Sequence, residues 1–485
     1  MKLPFFNRKP TKNVAKRYFE AAQVGRLLSG MFGSSASADS TIKPSLPRMR
    51  DRARDLERNN EYAARALELS ENGVVGDRGF SLQVKAINLD GRLDMAGNQI
   101  IEDNWHQWAR SCTADGSMTF RDFCALAVRS VKRDGEFFCQ IIRNNAYTHG
   151  ISLNPIESDR IDIDKNELLA NGNRVRMGVE LDTFDRPVAY WLLNYHPGDY
   201  DFMHNRPEKK YTRVTADKII HVFKKTRAGQ TRGVTAFAPA LFAMKMLDGY
   251  REAEITAARA AAAKFAVMTS PDGEGLSDQY DGDIPEVNYE SGTVQVLPPG
   301  YNMSLLDPTH PTSAFSDFNK AVLRGIASGL GVSYESLSND LEGTSYSSIR
   351  QGALLERDMF KNDQRFFINH LVDKIFRIWL EWTLSTGEYG IFSDKYNKFS
   401  RNIEWRGRGF SWVDPKKEIE ASVIALQNGI ISMQDVANQY GRDVEEVFAQ
   451  IQRDKESAAQ FGLTTAFEPF GADKAQIVPE LSDDQ

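Results

Sequence analysis

The strongest constraint on the fold is a run of 32 residues, 234–265, that is dense in alanine and other strong helix formers. A helix of that length would extend for about 48 Å, which is more than the diameter of a small domain. Its small side chains would let neighbouring helices approach closely, as the packing of identical subunits into a ring requires. A helix buried inside a single domain is the alternative interpretation of the same run.

Two further helices are predicted after this run. The first lies within 309–330, where apolar residues recur on one face until the glycines at 329 and 331 end the helix. A Ser/Gly-rich loop, 331–346, separates it from a long helix over 347–384. The segment between the first two helices, 266–308, is predicted to contain short strands.

The first half of the chain predicts a mixed domain. Residues 1–45 combine basic residues with a Gly/Ser-rich stretch and prolines, which is typical of a mobile arm. Helical periodicity follows over 46–72, 98–110 and 119–134, the last with a predicted cap at Thr119. Between 136 and 223 the period changes to two, as in FFCQIIR, VRMGVEL, VAYWLLNY and IIHVF, with no βαβ alternation. The fold class is therefore predicted to be α+β.

Trp105 and Trp108 fall on the apolar face of the predicted helix 98–110. Two aromatic side chains at this spacing could form a platform on which bases stack. Packing in the core is favoured, because both residues continue the apolar face.

Charge is distributed unevenly along the chain, although the net charge is only -6. Residues 1–65 hold 14 Lys/Arg against 6 Asp/Glu, whereas residues 265–319 hold 9 acidic residues and no Lys or Arg. Residues 416–485 carry 13 acids against 6 bases. A sequence-specific DNA-binding protein would be basic across the face that reads the bases. This distribution favours assembly and protein docking over tight nucleic-acid binding.

No motif indicates an enzyme, a cofactor site or a metal site. The sequence contains neither the GxxxxGK[ST] motif nor HExxH, and its 7 histidines are scattered without metal-ligand spacing. GTSYS at Gly343 only superficially resembles a nucleophile elbow, because Ser347 replaces the second glycine. The 3 cysteines show no CxxC spacing and are predicted to be buried reduced thiols. No apolar run is long enough for a transmembrane helix, and the N-terminus lacks the apolar core of a signal peptide.

Three segments resemble the portal proteins of lambda-type tailed bacteriophages. They are RMRDRARDLERNNEYAARALELSENGVVGDRGFSLQ (48–83), PIESDRID (155–162) with IIHVFKKTRAGQTRGVTAFAPAL (219–241), and IASGLGVSYESLSNDLEGTSYSSIRQGALLERDMF (326–360). The third segment is the most specific. With the residues between them, the three segments cover about residues 46–415.

The resemblance implies one subunit of a ring, usually dodecameric, at one vertex of the capsid. Double-stranded DNA would enter and leave the capsid through this ring without sequence-specific recognition. The implied partners are the terminase large subunit, a head-tail connector or adaptor, and a capsid or scaffold protein, with the protein in the virion and, during assembly, in the host cytoplasm. The implied layout is a wing (46–233 with 385–414), a stem (234–265 and 309–330), an acidic clip (266–308), a tunnel loop (331–346), a long helix (347–384), a helical crown (415–470) and a disordered tail (471–485).

Two groups of site residues follow from this layout. The tunnel loop and its flanks would approach the DNA through Ser345, Tyr346, Ser347 and Ser348, with Arg324 and Arg350 as candidate phosphate contacts. An ion pair between subunits is the alternative role of both arginines. The acidic clip would dock the terminase motor through Asp278, Asp281, Asp283 and Glu286.

Two other classes of protein remain open at this point. One is a ring or adaptor component of a virion that has no DNA-conducting pore. The other is a cytosolic enzyme whose site has no recognised motif. An image of the purified protein would separate them, because a portal has an open central hole.

Overall fold

The structure is a computed structural model that describes residues 35–144, 150–199, 211–263, 266–269, 302–305, 315–387, 390–410 and 415–462. Within these ranges helices are combined with small antiparallel sheets, which confirms the predicted α+β class. None of the helices in these ranges is both long enough and apolar enough to cross a membrane.

Five helices and one strand precede the β-rich region. Asn60 separates the second helix from the third, because its backbone is extended and its side chain accepts a hydrogen bond from the amide of Ala63. The predicted cap at Thr119 is confirmed, since its side chain accepts from the amide of Asp122. The elements are α1 (Ala38–Ile42), α2 (Leu46–Asn59), α3 (Glu61–Val74), β1 (Ser81–Val84), α4 (Met95–Ala109) and α5 (Phe120–Arg133).

Helix α1 lies within the last residues of the segment predicted to be a mobile arm, 1–45. Its residue Asp39 is buried and accepts hydrogen bonds from the amide and the hydroxyl of Thr231, at 2.8 and 2.7 Å. The folded part of the chain therefore begins before residue 46, and residues 1–34 lie outside the described ranges.

Two sheets form the β-rich region, and all their strand pairs are antiparallel. The first has the order β3–β2–β9, with β2 (Glu136–Arg143), β3 (Ile151–Ile156) and β9 (Ile219–Phe223). The second has five strands in sequence order: β4 (Glu167–Leu168), β5 (Arg174–Arg176), β6 (Val179–Leu181), β7 (Pro187–Leu193) and β8 (Tyr211–Thr215). The segment VRMGVEL thus forms two strands, because Met177 and Gly178 have positive φ and turn the chain.

The first long helix begins later than predicted. It is α6 (Leu241–Ala263), whose 23 residues extend for about 35 Å, while residues 236–240 form tight turns. Pro239 explains the difference, because it cannot donate a backbone hydrogen bond and disfavours helical backbone at the residue before it. The end of the predicted helix, 264–265, lies outside the described ranges.

The remaining helices follow the predicted order. The long helix is interrupted by a π-helical turn at Ile368–Val372, and the predicted tunnel loop contains a short helix capped by Ser333. The elements are β10 (Ala266–Thr269), β11 (Asn302–Leu305), α7 (Phe315–Leu330), α8 (Tyr334–Ser338), α9 (Tyr346–Phe367), α10 (Asp373–Thr386), α11 (Tyr396–Arg401), β12 (Ile403–Arg406), α12 (Pro415–Gln427), α13 (Met433–Gln439) and α14 (Val444–Gln460).

Two apolar clusters dominate the core. The larger joins α4, α5, β2, β3 and α10, and contains Trp105, Trp108 and Trp379 in mutual contact. Both predicted tryptophans are at most 2% exposed, so core packing is confirmed over base stacking. The second cluster joins α2 and α3 to α6, α7 and α8. The helices predicted as the stem are thereby attached directly to the N-terminal helices.

Candidate functional site

Glu136, the first residue of β2, is the centre of a fully buried ion cluster. Arg232 donates to both carboxylate oxygens at 2.6–3.0 Å, and Arg50 donates to one of them at 2.7 Å. The ring of His221 and the amide of Gly233 contact the other oxygen, at 3.1 and 3.0 Å. We call these residues (Glu136, Arg50, Arg232, His221 and Gly233) the Glu136 cluster. It brings together residues from helix α2, strand β9 and the loop before α6.

The guanidinium of Arg232 also donates hydrogen bonds to backbone carbonyl groups. Its guanidinium donates to the carbonyls of Ser158, Ile161 and Met177 at 2.7–3.1 Å, and its side chain is 0% exposed. A planar, always charged group with five donors can fix several chain segments at once. The loop that leads into α6 is therefore fastened to both sheets.

The electrostatics of the cluster favour the ionised carboxylate. Burial alone would raise the pKa of Glu136, but the charge of Arg232, the His221 hydrogen bond and the charge of Arg50 together hold that pKa far below its usual range. Burial lowers the pKa of His221, so its imidazole is neutral at pH 7. The cluster is fully formed at neutral pH.

Two glycines allow the chain segments to meet at this cluster. A Cβ on Gly233 would lie 2.0 Å from the carbonyl oxygen of Gly135, and one on Gly135 would lie 2.4 Å from the carbonyl carbon of Val234. Gly135 also has a φ of +92°, which favours glycine. The start of β2 and the loop before α6 are thus in direct backbone contact.

A second ion network extends the cluster to the surface. Arg54 contacts Asp134 at 2.9 Å and Asp159 at 2.6 Å, and Arg50 contacts Asp159 at 2.9 Å. Glu157, Asp159 and His196 offer three ligand atoms within 4.8 Å of one another, an arrangement that could hold a cation. Arg54 also contacts Glu157 at 3.2 Å, so a guanidinium already neutralises both carboxylates. The arrangement is an ion-pair network rather than a metal site.

Two of the three segments that carry the family resemblance converge on these networks. Arg50 and Arg54 belong to the first segment, Asp159 to the second, and Arg232 to the continuation of the second. Sequence reasoning missed the roles of Glu136 and Arg232. The sequence offered one signal for each residue. Glu136 stands directly before an apolar strand, and Arg232 stands next to a glycine in RAGQTRG.

The predicted tunnel residues lie together at the start of α9. Ser345 caps the helix, accepting from the amide of Ser348 at 3.2 Å, and the two hydroxyls are 2.9 Å apart. Tyr346 and Ser347 occupy the first turn, and Tyr346 is 55% exposed. The structure therefore brings the four residues together on an exposed, uncharged helix end.

The two candidate phosphate contacts have neighbours within the same chain. The guanidinium of Arg324, on α7, lies 5.3 Å from the centre of the Tyr334 ring. Arg350 lies 3.6 Å from the carboxylate of Glu418 on α12 and remains about a third exposed. The predicted docking residues Asp278, Asp281, Asp283 and Glu286 lie outside the described residues.

Helix α6 presents an apolar face to solvent. Phe242 is 75% exposed and Met246 is 58% exposed, and Gly249 and Ala253 continue the same face at helical spacing. Nothing lies within 4 Å of a Cβ placed on Gly249. Contiguous exposed apolar surface of this kind is typical of protein interfaces.

Comparison with known proteins identifies relatives over most of the chain. Residues 24–364 match the sequence profile of the family described as phage portal protein, lambda family. A probable portal protein of Halomonas phage phiHAP-1 is 34% identical over 466 residues, covering 94% of this chain and 89% of the relative. Portal protein B of Escherichia phage lambda is 25% identical over 474 residues, covering 88% and 87%.

Matches among solved structures include a chain from the neck of a native GTA particle computed with C12 symmetry. Its matching chain is 13% identical, and the match has a TM-score of 0.43 and covers 86% of this chain and 98% of that chain. The neck of an empty GTA particle computed with C6 symmetry gives a TM-score of 0.44 at 15% identity.

Proposed function

Because this chain belongs to the lambda family of phage portal proteins, we propose that its copies form a ring at one capsid vertex, through which double-stranded DNA is packaged and ejected. The observation within the subunit that supports a ring is the exposed apolar face of α6. A monomer with this face in water would expose a continuous apolar strip beside a well-packed core. Neighbouring copies would cover it.

The mutation that tests the ring is Met246→Asp. Burying a methionine contributes about 1.5–3 kcal/mol, and a carboxylate in its place would be desolvated at every interface of the ring. We expect a folded subunit that fails to assemble, measured by light scattering after size-exclusion chromatography and by negative-stain imaging. Leu89→Asp is the matched control, because Leu89 is fully exposed in a loop and outside the α6 face.

The same images discriminate between the functions that remain. The wild-type protein is expected to form rings with an open centre wide enough for B-form DNA. Rings with a closed centre would support an adaptor without a conducting channel, and unassembled wild-type protein would contradict the proposal. The proposed role is structural, with the ATPase supplied by another protein.

We further propose that the start of α9 approaches the DNA in the channel. A duplex must slide, and each phosphate bound by Lys or Arg releases counterions and adds affinity. A wall of serine hydroxyls with few cations suits sliding, and Ser345, Tyr346, Ser347 and Ser348 provide such a surface. Arg324 and Arg350 would supply the few phosphate contacts.

Replacing Arg324 and Arg350 together with alanine tests those contacts. The logarithm of the DNA-binding constant falls linearly with the logarithm of salt concentration. If the two arginines bind phosphates, this slope is expected to become shallower by about 0.9 for each phosphate that is no longer neutralised. Particles carrying the double variant should also retain less DNA. The matched control replaces Arg58 and Arg186, which are exposed and lie on α2 and a wing turn. Unchanged packaging and retention of DNA would show that the two arginines do not bind phosphates in the channel.

We propose the acidic segment 266–308 as the dock for the terminase motor, with contacts to a head-tail connector in the assembled virion. Reversing Asp278, Asp281 and Asp283 to lysine is expected to abolish binding of purified terminase large subunit in a pull-down experiment. Glu286 would contribute to the same surface. The control reverses three exposed wing acids: Asp77, Asp90 and Asp394. Unchanged binding would indicate docking by shape or apolar contact.

A further inference from the structure

A cleft with a basic lining lies between the second half of α9, the loop after β12 and the helices α12 and α13. Its volume is about 680 Å³. The cations in its lining are Arg357, Lys361, Arg365, Arg406 and Arg408. The acids in its lining are Asp358, Glu404 and Glu418. The cleft therefore offers more positive than negative side chains to a ligand.

Two of the three acids already have a cation partner. Glu404 pairs with Lys85 at 2.6 Å, and Glu418 lies 3.6 Å from Arg350. Asp358 is exposed and forms no ion pair with another described residue. One acid is thus left to balance the cations of the lining.

Three cations of the lining, all on α9, have no acidic partner. Arg406 is neutralised, because it contacts Asp443 at 2.5 Å in a buried ion pair. Arg357, Lys361 and Arg365 form no ion pair with any described residue, and the last two are exposed. Three unpaired cations less one unpaired acid leave an excess of two positive charges in each cleft.

An aromatic ring holds Arg357 in place without neutralising it. The guanidinium of Arg357 lies 5.7 Å from the centre of the Phe410 ring, and that of Arg408 lies 5.5 Å from the same centre. Phe410 is itself stacked on Phe360, with 6.4 Å between ring centres. A guanidinium stacked on a ring keeps its donors available for a bidentate contact with a phosphate or carboxylate. The cleft is therefore suited to an anion.

The unpaired cations continue a row along α9. Arg350, Arg357, Lys361 and Arg365 follow one another at intervals of 7, 4 and 4 residues, so they lie on one face of the helix. The row extends for about 22 Å. Each strand of a DNA duplex carries one phosphate for about every 3.4 Å of its axis. A row of this length fits an extended polyanion better than a single small anion.

The cleft lies at the end of α9 that packs against the N-terminal helices. Gln364 donates to the carbonyl of Gly73 on α3 at 3.2 Å, and the ring of Phe360 packs on the same glycine. Helix α3 belongs to the predicted wing. Arg365 is 19 residues, or about 28 Å, along α9 from Tyr346. The cleft is thus separate from the serine-rich start of α9.

We propose that this cleft binds the phosphate backbone of double-stranded DNA outside the channel. This inference rests on the proposed function, because the DNA is the DNA that the ring conducts. Each cation that binds a phosphate releases counterions and adds affinity, so a cleft with unpaired cations holds DNA where the channel lets it slide. An acidic protein segment is the less favoured occupant, because the row of cations begins within one turn of Ser348, at the end of α9 proposed to approach DNA.

Closed circular DNA tests the cleft, because a closed circle cannot thread through an assembled ring. We expect wild-type rings of the full-length protein to bind a relaxed plasmid in a gel-shift experiment at low salt. The triple variant Arg357→Gln, Lys361→Gln and Arg365→Gln should form rings and lose this binding. The slope of the logarithm of the binding constant against that of salt concentration should become shallower by about 2.7 if each side chain neutralises one phosphate.

Two further variants make the result specific. The double variant Lys361→Gln with Arg365→Gln keeps Arg357 on the ring of Phe410, and its slope should change by about 1.8. The matched control replaces three exposed cations outside the cleft with glutamine and should bind the plasmid as the wild type does. These cations are Arg52, Arg92 and Arg110.

The outcomes separate this inference from the proposed function. Rings that bind linear duplex but no plasmid, or variants that bind the plasmid as well as the wild type, would overturn the cleft and leave the function intact. Absence of rings in the wild type would contradict the function itself. Rings that bind a polyglutamate peptide through the three cations, and no plasmid, would assign the cleft to an acidic protein. Displacement of the plasmid by millimolar inorganic phosphate would indicate a small-anion site and also overturn the inference.

Discussion

Replacing Glu136 with glutamine is expected to destabilise the subunit by about 3–5 kcal/mol, enough to unfold a typical domain or to prevent soluble expression. The change keeps the size of the side chain but removes its charge and replaces one acceptor oxygen with an NH2 group, which cannot accept the hydrogen bonds made there. Arg232, at 0% exposure, would then be a buried cation without a carboxylate partner, and Arg50 would keep only Asp159. Uncompensated buried charge is among the costliest defects in a protein interior.

The measurement is the free energy of unfolding in urea, compared with that of Glu167→Gln. Glu167 pairs with Lys165 at the surface and is 47% exposed, so its loss should change stability by less than about 1 kcal/mol. If the two variants unfold at the same urea concentration, the charge of Glu136 does not hold the cluster together. A strongly destabilised Glu136 variant with an unchanged control would identify the cluster as the electrostatic centre of the fold.

The helices could be predicted from the sequence, whereas the contacts of Glu136 could not. Periodicity located α4, α5, α7 and α9 because each amphipathic pattern is local and repeats every three or four residues. Strand alternation and the Thr119 cap are equally local signals. Glu136 meets Arg50 and Arg232 from 86 and 96 residues away, and no local pattern encodes such a contact.

The start of α6 shows a different limit. The alanine content favoured a helix from residue 234, but Pro239 and the turn fixed by Arg232 and Gly233 delay it until Leu241. Helix propensity is a weak preference that tertiary contacts override. The sequence predicts that the loop ends at 346 and the long helix begins at 347; in the structure the helix begins at Tyr346 with Ser345 as its cap, a difference of one residue, because the start of a helix is a local signal.

Substitution of Gly233, a member of the Glu136 cluster, is expected to have the second large effect on stability. Gly233→Ala should destabilise the subunit by at least about 3 kcal/mol, because its Cβ would lie 2.0 Å from the carbonyl oxygen of Gly135. The backbone cannot easily move away. The amide of Gly233 donates to Glu136, and the amide of Ala236 donates to the carbonyl of Lys132 at 2.9 Å.

Gly249→Ala is the matched control, and its expected effect on stability has the opposite sign. Gly249 lies inside α6 with nothing within 4 Å of its Cβ position, so alanine should stabilise the isolated subunit by about 0.5–1 kcal/mol. Thermal unfolding of the unassembled Met246→Asp background would compare the two substitutions without the contribution of the ring. Equal unfolding temperatures would show that the loop before α6 is not clamped against β2. A large loss at 233 beside a gain at 249 would show that the loop before α6 is held rigidly against the start of β2 and fixes where α6 begins.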